Sequence, residues 1–423
     1  MTRLSPPEPA TKPRLEADRR PETAPVRTSS ASKQEFVSDL LRISITPAAF
    51  VVIFLIYGLW LGSTFANVQL RMLDIHQQAP VLLLVLAVLP TITVGMFDLS
   101  VASMASLTAT LTISLVINND LPFPLVLAIC LVVGLAGGLL NGILVEQFGM
   151  HTFIATLGTG GLFLGISNVI SGAAQLSPVP GGLAPPAWFS GEATSFGNYS
   201  SQIPAWLGWC LIVATAVFLA HRLAHVLPLA RRTSWIIGIA VSAAMLVVLA
   251  AVGWLTQIAN GISWMIFFLI VVALLLWIAF EHTPYGRYAR ALGSNRDASR
   301  LAGVKVRRVG IGSFVLGGLL AAIAGIVLAA AQDGAAPDAA GSFLLPAFAA
   351  VFLSTVIFSR GRFTVWGALT GGIFLVWVGQ GLAVGGFPYT WTQVVNGAVL
   401  ILAVGASLLM GRRFVFRRRS PKS

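Results

Sequence analysis

Long uninterrupted apolar runs dominate this chain and limit what it can fold into. A helix that crosses a bilayer needs about 20 predominantly apolar residues. Twelve runs approach that length, at roughly 47–64, 78–95, 99–117, 122–145, 152–171, 205–221, 233–255, 262–280, 310–331, 343–358, 364–384 and 389–410. They are continuous rather than alternating, which argues against barrel strands. We therefore predict an all-α fold, a polytopic membrane helical bundle of about twelve transmembrane helices.

The distribution of basic residues predicts the orientation of this bundle. Lys and Arg accumulate in the cytoplasmic loops of membrane proteins. With the N-terminus inside, every Lys and Arg except Arg71 falls on the cytoplasmic side. Both termini are therefore predicted to be cytoplasmic, and the net charge of +12 reflects topology rather than nucleic-acid binding. Residues 1–46 are predicted to be a disordered tail, residues 47–410 the transmembrane domain, and residues 411–423 a basic tail.

The loop at residues 282–309 is the one long charged segment in the interior of the chain. Its middle, residues 295–302, can form a short helix with small apolar side chains on one side and Arg296 and Arg300 on the other. Gly293 and Gly303 would bracket this helix as flexible ends. We predict that it docks on a cytoplasmic partner. The candidate docking residues are Gly293, Asn295, Ala298, Arg300, Leu301, Ala302 and Gly303.

A few polar residues fall at predicted membrane depth, where they are costly and usually functional. In VGMFDLSVASMASL, Asp98 and Ser100 stand where one helix ends and another begins. Asp98 either caps the second helix or lines a polar translocation path. Asn141, in LLNGIL, is expected to form an interhelical hydrogen bond. Glu146 and His151, in a predicted inside turn, are expected to be solvated.

Small residues at four-residue spacing predict close helix packing. They form four seams: Gly134, Gly138 and Gly142; Gly161 and Gly165; Gly317, Ala321 and Gly325; Gly367 and Gly371.

Several catalytic signatures are missing from the sequence. None of the four lysines follows a glycine, so a Gly-Lys-Ser/Thr phosphate loop cannot occur. Clusters with metal-ligand spacing, a Gly-x-Ser-x-Gly nucleophile turn and paired carboxylates within one span are also missing. We predict that the chain is not an enzyme and holds no metal or cofactor. Any energy from ATP would enter through a partner.

Three segments resemble the permease subunits of bacterial ATP-binding cassette importers for simple sugars, of the ribose, xylose and arabinose type. They are FDLSVASMASLTA, GLAGGLLNGILVEQFGMHTFIATLGT and YGRYARALGSNRDASRLAGVKV. The resemblance covers roughly residues 47–410, and an extra pair of spans before the third segment favours the xylose-type branch. The turn FLSTVIFSRGRFTVWG departs from the glycine-rich turn of that family.

The resemblance implies an importer permease in the bacterial inner membrane that translocates a simple sugar, such as the pentose xylose. It implies a homodimer in lipid, an extracytoplasmic sugar-binding protein, and separate ATPase subunits that bind ATP and dock on loop 282–309. The external loop around Ser190–Ser201 is either the landing surface for the binding protein or an interfacial belt. Two alternatives stay open. One is a permease for a non-sugar solute, and the other is an ion-coupled secondary transporter, which needs embedded carboxylates or ion sites; only Asp98 qualifies.

Overall fold

The computed structural model describes residues 52–226, 239–244, 246–247, 249–250, 253–357, 362–388 and 390–417. The named helices of this part are α1 Val52–Leu61, α2 Ser63–Ala66, α3 Val68–Gln77, α4 Ala79–Thr93, α5 Val101–Ile117, α6 Phe123–Glu146, α7 Thr152–Ser171, α8 Ala205–Val226, α9 Trp254–Asn260, α10 Trp264–Glu281, α11 Pro284–Ser294, α12 Arg296–Leu301, α13 Val306–Gln332, α14 Leu344–Ile357, α15 Val365–Val384 and α16 Thr390–Arg417. A short 3₁₀ helix, Gly341–Phe343, precedes α14.

The all-α prediction is confirmed. In the described ranges, β pairing is limited to two isolated bridges, between Leu176 and Ala335 and between Gln202 and Ser263. Five helices are long and apolar enough to cross a membrane, or up to six if the bent pair α3 and α4 is one span. Other predicted runs correspond to shorter apolar helices, and 233–255 lies largely outside the described residues. The count of twelve and the positions of the termini therefore stay predictions.

Two of the domain boundaries can be compared with the structure only in part. The predicted N-terminal tail, residues 1–46, lies wholly outside the described residues. The predicted C-terminal tail begins at residue 411, whereas α16 continues to Arg417. The remaining residues, 418–423, again lie outside the described part.

Two helices, α4 and α13, form the centre of the bundle. Every residue of α4 is buried, which agrees with a sequence that is apolar all round. Helix α13 packs against α4, α5 and α6. It is 27 residues long, so it extends about 40 Å from one end of the bundle to the other.

Three of the glycine seams bring helix backbones together, as predicted. A Cβ atom on Gly138 of α6 would overlap the carbonyl group of Phe314 in α13, and one on Gly142 would lie 2.9 Å from Ile311 Cα. A Cβ on Gly317 would lie 3.0 Å from the Ala87 carbonyl oxygen of α4, and one on Gly371 would lie 2.6 Å from the Ala350 oxygen of α14. The fourth seam differs, because Cβ atoms on Gly161 and Gly165 would meet open space.

Helix α3 was not predicted, because its sequence contains Arg71, Asp74 and His76 and falls in an expected outer loop. All three side chains are nevertheless buried. The Arg71 guanidinium lies 2.9 Å from the Asp74 carboxylate and stacks 4.3 Å from the centre of the Phe65 ring. Asp74 is therefore a buried carboxylate that the sequence analysis did not single out.

The bend between α3 and α4 has a local cause. The two helices meet at 56° beside Gln78. Pro80 has no N–H to donate to the His76 carbonyl, and its ring would crowd that carbonyl in a continuous helix. The chain therefore turns at the dipeptide Gln77-Gln78 and places polar side chains at the break.

The loops group by end of the bundle. At one end, called here the coupling end, Arg296 of the 282–309 loop contacts Glu146 at the end of α6. At the other, called the far end, the Tyr199 hydroxyl donates to the Gln69 carbonyl and His76 bonds to the Gly197 carbonyl. This grouping agrees with the alternation of sides that the charges predict.

Candidate functional site

Asp98 lies in the break between α4 and α5, with only 1% of its surface exposed. Its Oδ1 accepts the Ser100 backbone N–H at 3.0 Å and the Ser100 hydroxyl at 2.6 Å. This is an Asx turn. The carboxylate thus receives one backbone N–H just before α5, rather than the N–H groups of the first turn of the helix. Gly95 makes the preceding turn possible with φ of 81°, a conformation that favours glycine.

Asn141 of α6 joins this group, in an interhelical hydrogen bond. Its Nδ2 donates to Ser100 Oγ at 2.7 Å, and its Oδ1 accepts from the Thr159 hydroxyl of α7 at 2.6 Å. Sequence reasoning missed Thr159, because an isolated threonine in an apolar span has no distinctive pattern. The four side chains tie α5, α6 and α7 together near the coupling end. A buried network whose members are paired makes the local packing rigid.

The middle of the 282–309 loop forms the short helix α12, Arg296–Leu301. Asn295 is its N-cap, because Asn295 Oδ1 accepts the Ala298 N–H at 2.9 Å. Gly303 follows with φ of 81° and turns the chain after the helix. The predicted helix over 295–302 therefore forms between the two residues expected to flank it.

Gly293 corrects part of that prediction. It belongs to α11 and is not a flexible end, since a Cβ atom there would overlap the carbonyl group of Thr93 in α4. The lack of a side chain lets α11 lie directly on the end of the central helix. The loop is thereby seated against the core of the bundle.

The outer face of α12 is open to solvent. Ala298, Arg300 and Ala302 are exposed, and Leu301 is 90% exposed. Leu301 therefore presents nearly its whole side chain to solvent beside Arg300 and Ala302.

Glu146 connects this loop to the membrane helices. Its side chain is 0% exposed, and its carboxylate bonds to the Arg296 guanidinium, which is 49% exposed. Gly310 of α13 lies against the same carboxylate. The expectation that Glu146 is solvated is wrong, because the 282–309 loop folds over the end of α6. His151, by contrast, is exposed as expected. No local signal could have predicted a pair 150 residues apart.

Comparison with known proteins finds a family match and several relatives that cover parts of the chain. The family described as branched-chain amino acid transport system / permease component matches residues 75–404. The probable ABC transporter permease protein YphD of Escherichia coli strain K12 is 37% identical over 145 residues, which cover 34% of this chain and 43% of that protein. The ribose import permease protein RbsC of Bacillus subtilis strain 168 is 35% identical over 136 residues, 32% of this chain and 42% of that protein.

A longer match extends over most of the chain. The xylose transport system permease protein XylH of Escherichia coli strain K12 is 26% identical over 317 residues, which cover 75% of this chain and 79% of that protein. The matches to YphD and RbsC, in contrast, cover less than half the length of those proteins. No solved structure matches.

Proposed function

We propose, since this chain belongs to the family of branched-chain amino acid transport system permease components, that it is the permease subunit of an ATP-binding cassette importer for a simple sugar. Members of this family are transport components rather than enzymes, and the apolar helices make the chain an integral membrane protein. The observation that carries the proposal is the solvent-exposed helix α12, capped by Asn295 and seated on the membrane helices through Gly293 and Arg296.

In this proposal α12 docks on a separate ATPase subunit, because the chain has no phosphate-binding loop of its own. ATP binds to that partner, and the chain itself carries no cofactor. Closure of two ATPase subunits displaces α12, and this displacement is transmitted to α6 through the contact between Arg296 and Glu146. Helix α13 begins at Val306, within the last residues of the 282–309 loop, so the same movement tilts the helix that extends to the far end.

The proposed solute is a pentose such as xylose. Support comes from the names of relatives, which include a ribose import permease and a xylose transport permease. The family description, which names branched-chain amino acids, keeps a non-sugar solute as the second candidate. An extracytoplasmic binding protein would deliver the solute at the far end of a permease homodimer in the bacterial inner membrane.

The test is reconstitution in liposomes. The chain would be combined with its ATPase and binding protein, and uptake of labelled D-xylose, D-ribose and L-leucine would be measured with and without internal ATP. We expect ATP-dependent uptake of a pentose. Uptake by the chain alone, driven by a proton or sodium gradient, would instead establish a secondary transporter and contradict the proposal.

A further inference from the structure

The far end of the bundle holds an open cavity of about 530 Å³ beside the bend between α3 and α4. This volume lies in the range of small-molecule sites. Three elements form its polar and aromatic lining: the bend, the end of α13 with the following 3₁₀ helix, and the 172–204 loop. The residues used below are Gln77, Gln78, Gln332, Asn198, Tyr199 and Phe343.

We propose that this cavity is a vestibule that receives a neutral polyhydroxylated solute, with the carboxamides of Gln77, Gln78 and Gln332 as its hydrogen-bonding groups. The inference rests on the proposed import function and deepens it, because it assigns residues and a ligand class to the entrance of the path.

Unused hydrogen-bonding capacity is the first argument. Among the described residues, no protein group engages the side chains of Gln77, Gln78 or Gln332; Gln77 and Gln332 are exposed and Gln78 is half-buried, so a solute would exchange with water for their hydrogen bonds. Each carboxamide offers two N–H donors and an acceptor oxygen, which match the donor and acceptor character of sugar hydroxyls. Other polar groups of the wall already have protein partners: Tyr199 donates to the Gln69 carbonyl, His76 bonds to Ser263 and Gly197, and Asn198 Oδ1 accepts the Ser200 N–H.

Charge is the second argument. Within the described part of the chain, no Asp, Glu, Lys or Arg lines this cavity. A zwitterionic amino acid that left water here would lose hydration at two charged groups without gaining ionic partners, which is costly. A neutral polyol loses less and can recover its hydrogen bonds from the amides. Phe343 adds an aromatic surface for the apolar C–H face of such a molecule.

Position is the third argument. Transporters often build solute sites at breaks in helices, because non-helical backbone is tolerated only where it lines a cavity or is buried in protein, and the bend between α3 and α4 lines this cavity. Gln78 and Phe343 also line a second, smaller cavity of about 90 Å³ between α4, α14, α15 and α16, whose lining includes Gln380 and Asn396. The two cavities therefore adjoin at Gln78 and Phe343.

Helix α13 links this cavity to the coupling end. Gln332 is its last residue, and its first turn, from Val306, forms the end of the 282–309 loop that carries α12. A tilt of α13 that starts at the coupling end would therefore displace Gln332 in the cavity wall. The geometry gives a rigid mechanical route from the docking helix to the solute.

The first experiment measures transport by Gln77→Ala and Gln332→Ala in cells that lack the chromosomal copy and express the variant with its own ATPase and binding protein. The label is whichever of D-xylose, D-ribose or L-leucine the wild type takes up. Loss of one hydrogen bond to the solute should lower the maximal uptake rate about three- to tenfold. Gln69→Ala is the matched control, since Gln69 is an exposed glutamine of the same helix outside the cavity.

Unchanged uptake in both cavity variants, at equal membrane abundance, would overturn the proposal, as would wild-type import of leucine and of neither pentose.

A second experiment is independent of uptake. Gln332→Cys, in a background without Cys130 and Cys210, is labelled with a maleimide in detergent, with excess D-xylose or with glycine betaine. Labelling that is slower with D-xylose than with glycine betaine supports the vestibule. Equal labelling rates with the two solutes overturn the vestibule. Failure of ATP-dependent import in the liposome test is a separate outcome, which rejects the proposed function.

Discussion

Replacing Arg296 by alanine should weaken the attachment of α12 to the membrane helices more than any other single change in that helix. The variant leaves the fully buried carboxylate of Glu146 without the guanidinium that now bonds to it. Its second oxygen, Oε1, already has no hydrogen-bond partner in the described part of the chain. A buried carboxylate with no partner destabilises the folded state.

The expected loss of stability for Arg296→Ala follows from how exposed Glu146 and Arg296 are. Removing one partner of a buried ion pair costs about 3–5 kcal/mol, whereas an exposed pair is worth about 1 kcal/mol or less. Glu146 is fully buried and Arg296 is 49% exposed, so we expect an intermediate loss of about 2 kcal/mol for Arg296→Ala. Glu146→Gln removes the buried charge and keeps the shape, so it should cost only about 1 kcal/mol.

The assay is a double-mutant cycle on the detergent-solubilised protein, read as the fraction that remains monodisperse after heating. Arg296→Ala combined with Glu146→Gln should be less destabilised than the sum of the single variants by about 1 kcal/mol. Arg300→Ala, an exposed arginine on the same helix, is the control and should change stability by less than about 0.5 kcal/mol. Additive effects, or equal melting of Arg296→Ala and Arg300→Ala, would refute the reasoning.

Four further predictions concern the break at Asp98, the exposed face of α12, the glycine seams and the orientation of the loops. Asp98→Asn keeps the acceptor for Ser100 and should retain membrane yield, whereas Asp98→Leu orphans buried donors and should cost about 2 kcal/mol or more, visible as lower yield on an immunoblot; equal yields would contradict this. Ala298→Glu should abolish pull-down of the ATPase, because a glutamate buried without a partner at the docked interface costs about 2 kcal/mol or more. Ala298→Ser should still bind, and retained binding by the glutamate variant would show that α12 is not part of the interface. Gly138→Ala forces a Cβ onto the Phe314 carbonyl and should cost about 1–3 kcal/mol. Gly161→Ala enters open space within helix α7 and should keep or slightly raise the melting temperature, because alanine favours a helix over glycine; equal melting of the two variants would count against the seam. In a background without Cys130 and Cys210, an impermeant maleimide should label Glu192→Cys in intact cells but Arg300→Cys only after permeabilisation, and the reverse pattern would invert the topology.

The sequence alone determined the helical fold, the position of most helices and the short helix α12 in the 282–309 loop. These features depend on local properties. A continuous apolar run is stable in lipid only as a helix, whatever it packs against. The cap of α12 likewise needs only Asn295 and the N–H of Ala298 in the next turn. The break at Asp98 was predictable for the same reason, since Gly95 and Asp98 are turn-forming residues within a few positions of each other.

Only the tertiary structure decided which faces meet. Glu146 looked like a solvated end of a helix until the 282–309 loop folded over it, and Thr159 was one apolar-span threonine among several until α7 packed beside Asn141. Helix α3 was read as an outer loop because Arg71, Asp74 and His76 lower its hydropathy. Arg71 and Asp74 pair within the helix itself, but the partners of His76, Ser263 and Gly197, lie 187 and 121 residues away. The physical reason is common to Glu146, Thr159 and His76: the cost of burying a polar group depends on the partner it finds, and here that partner is set by helix packing rather than by neighbours in sequence.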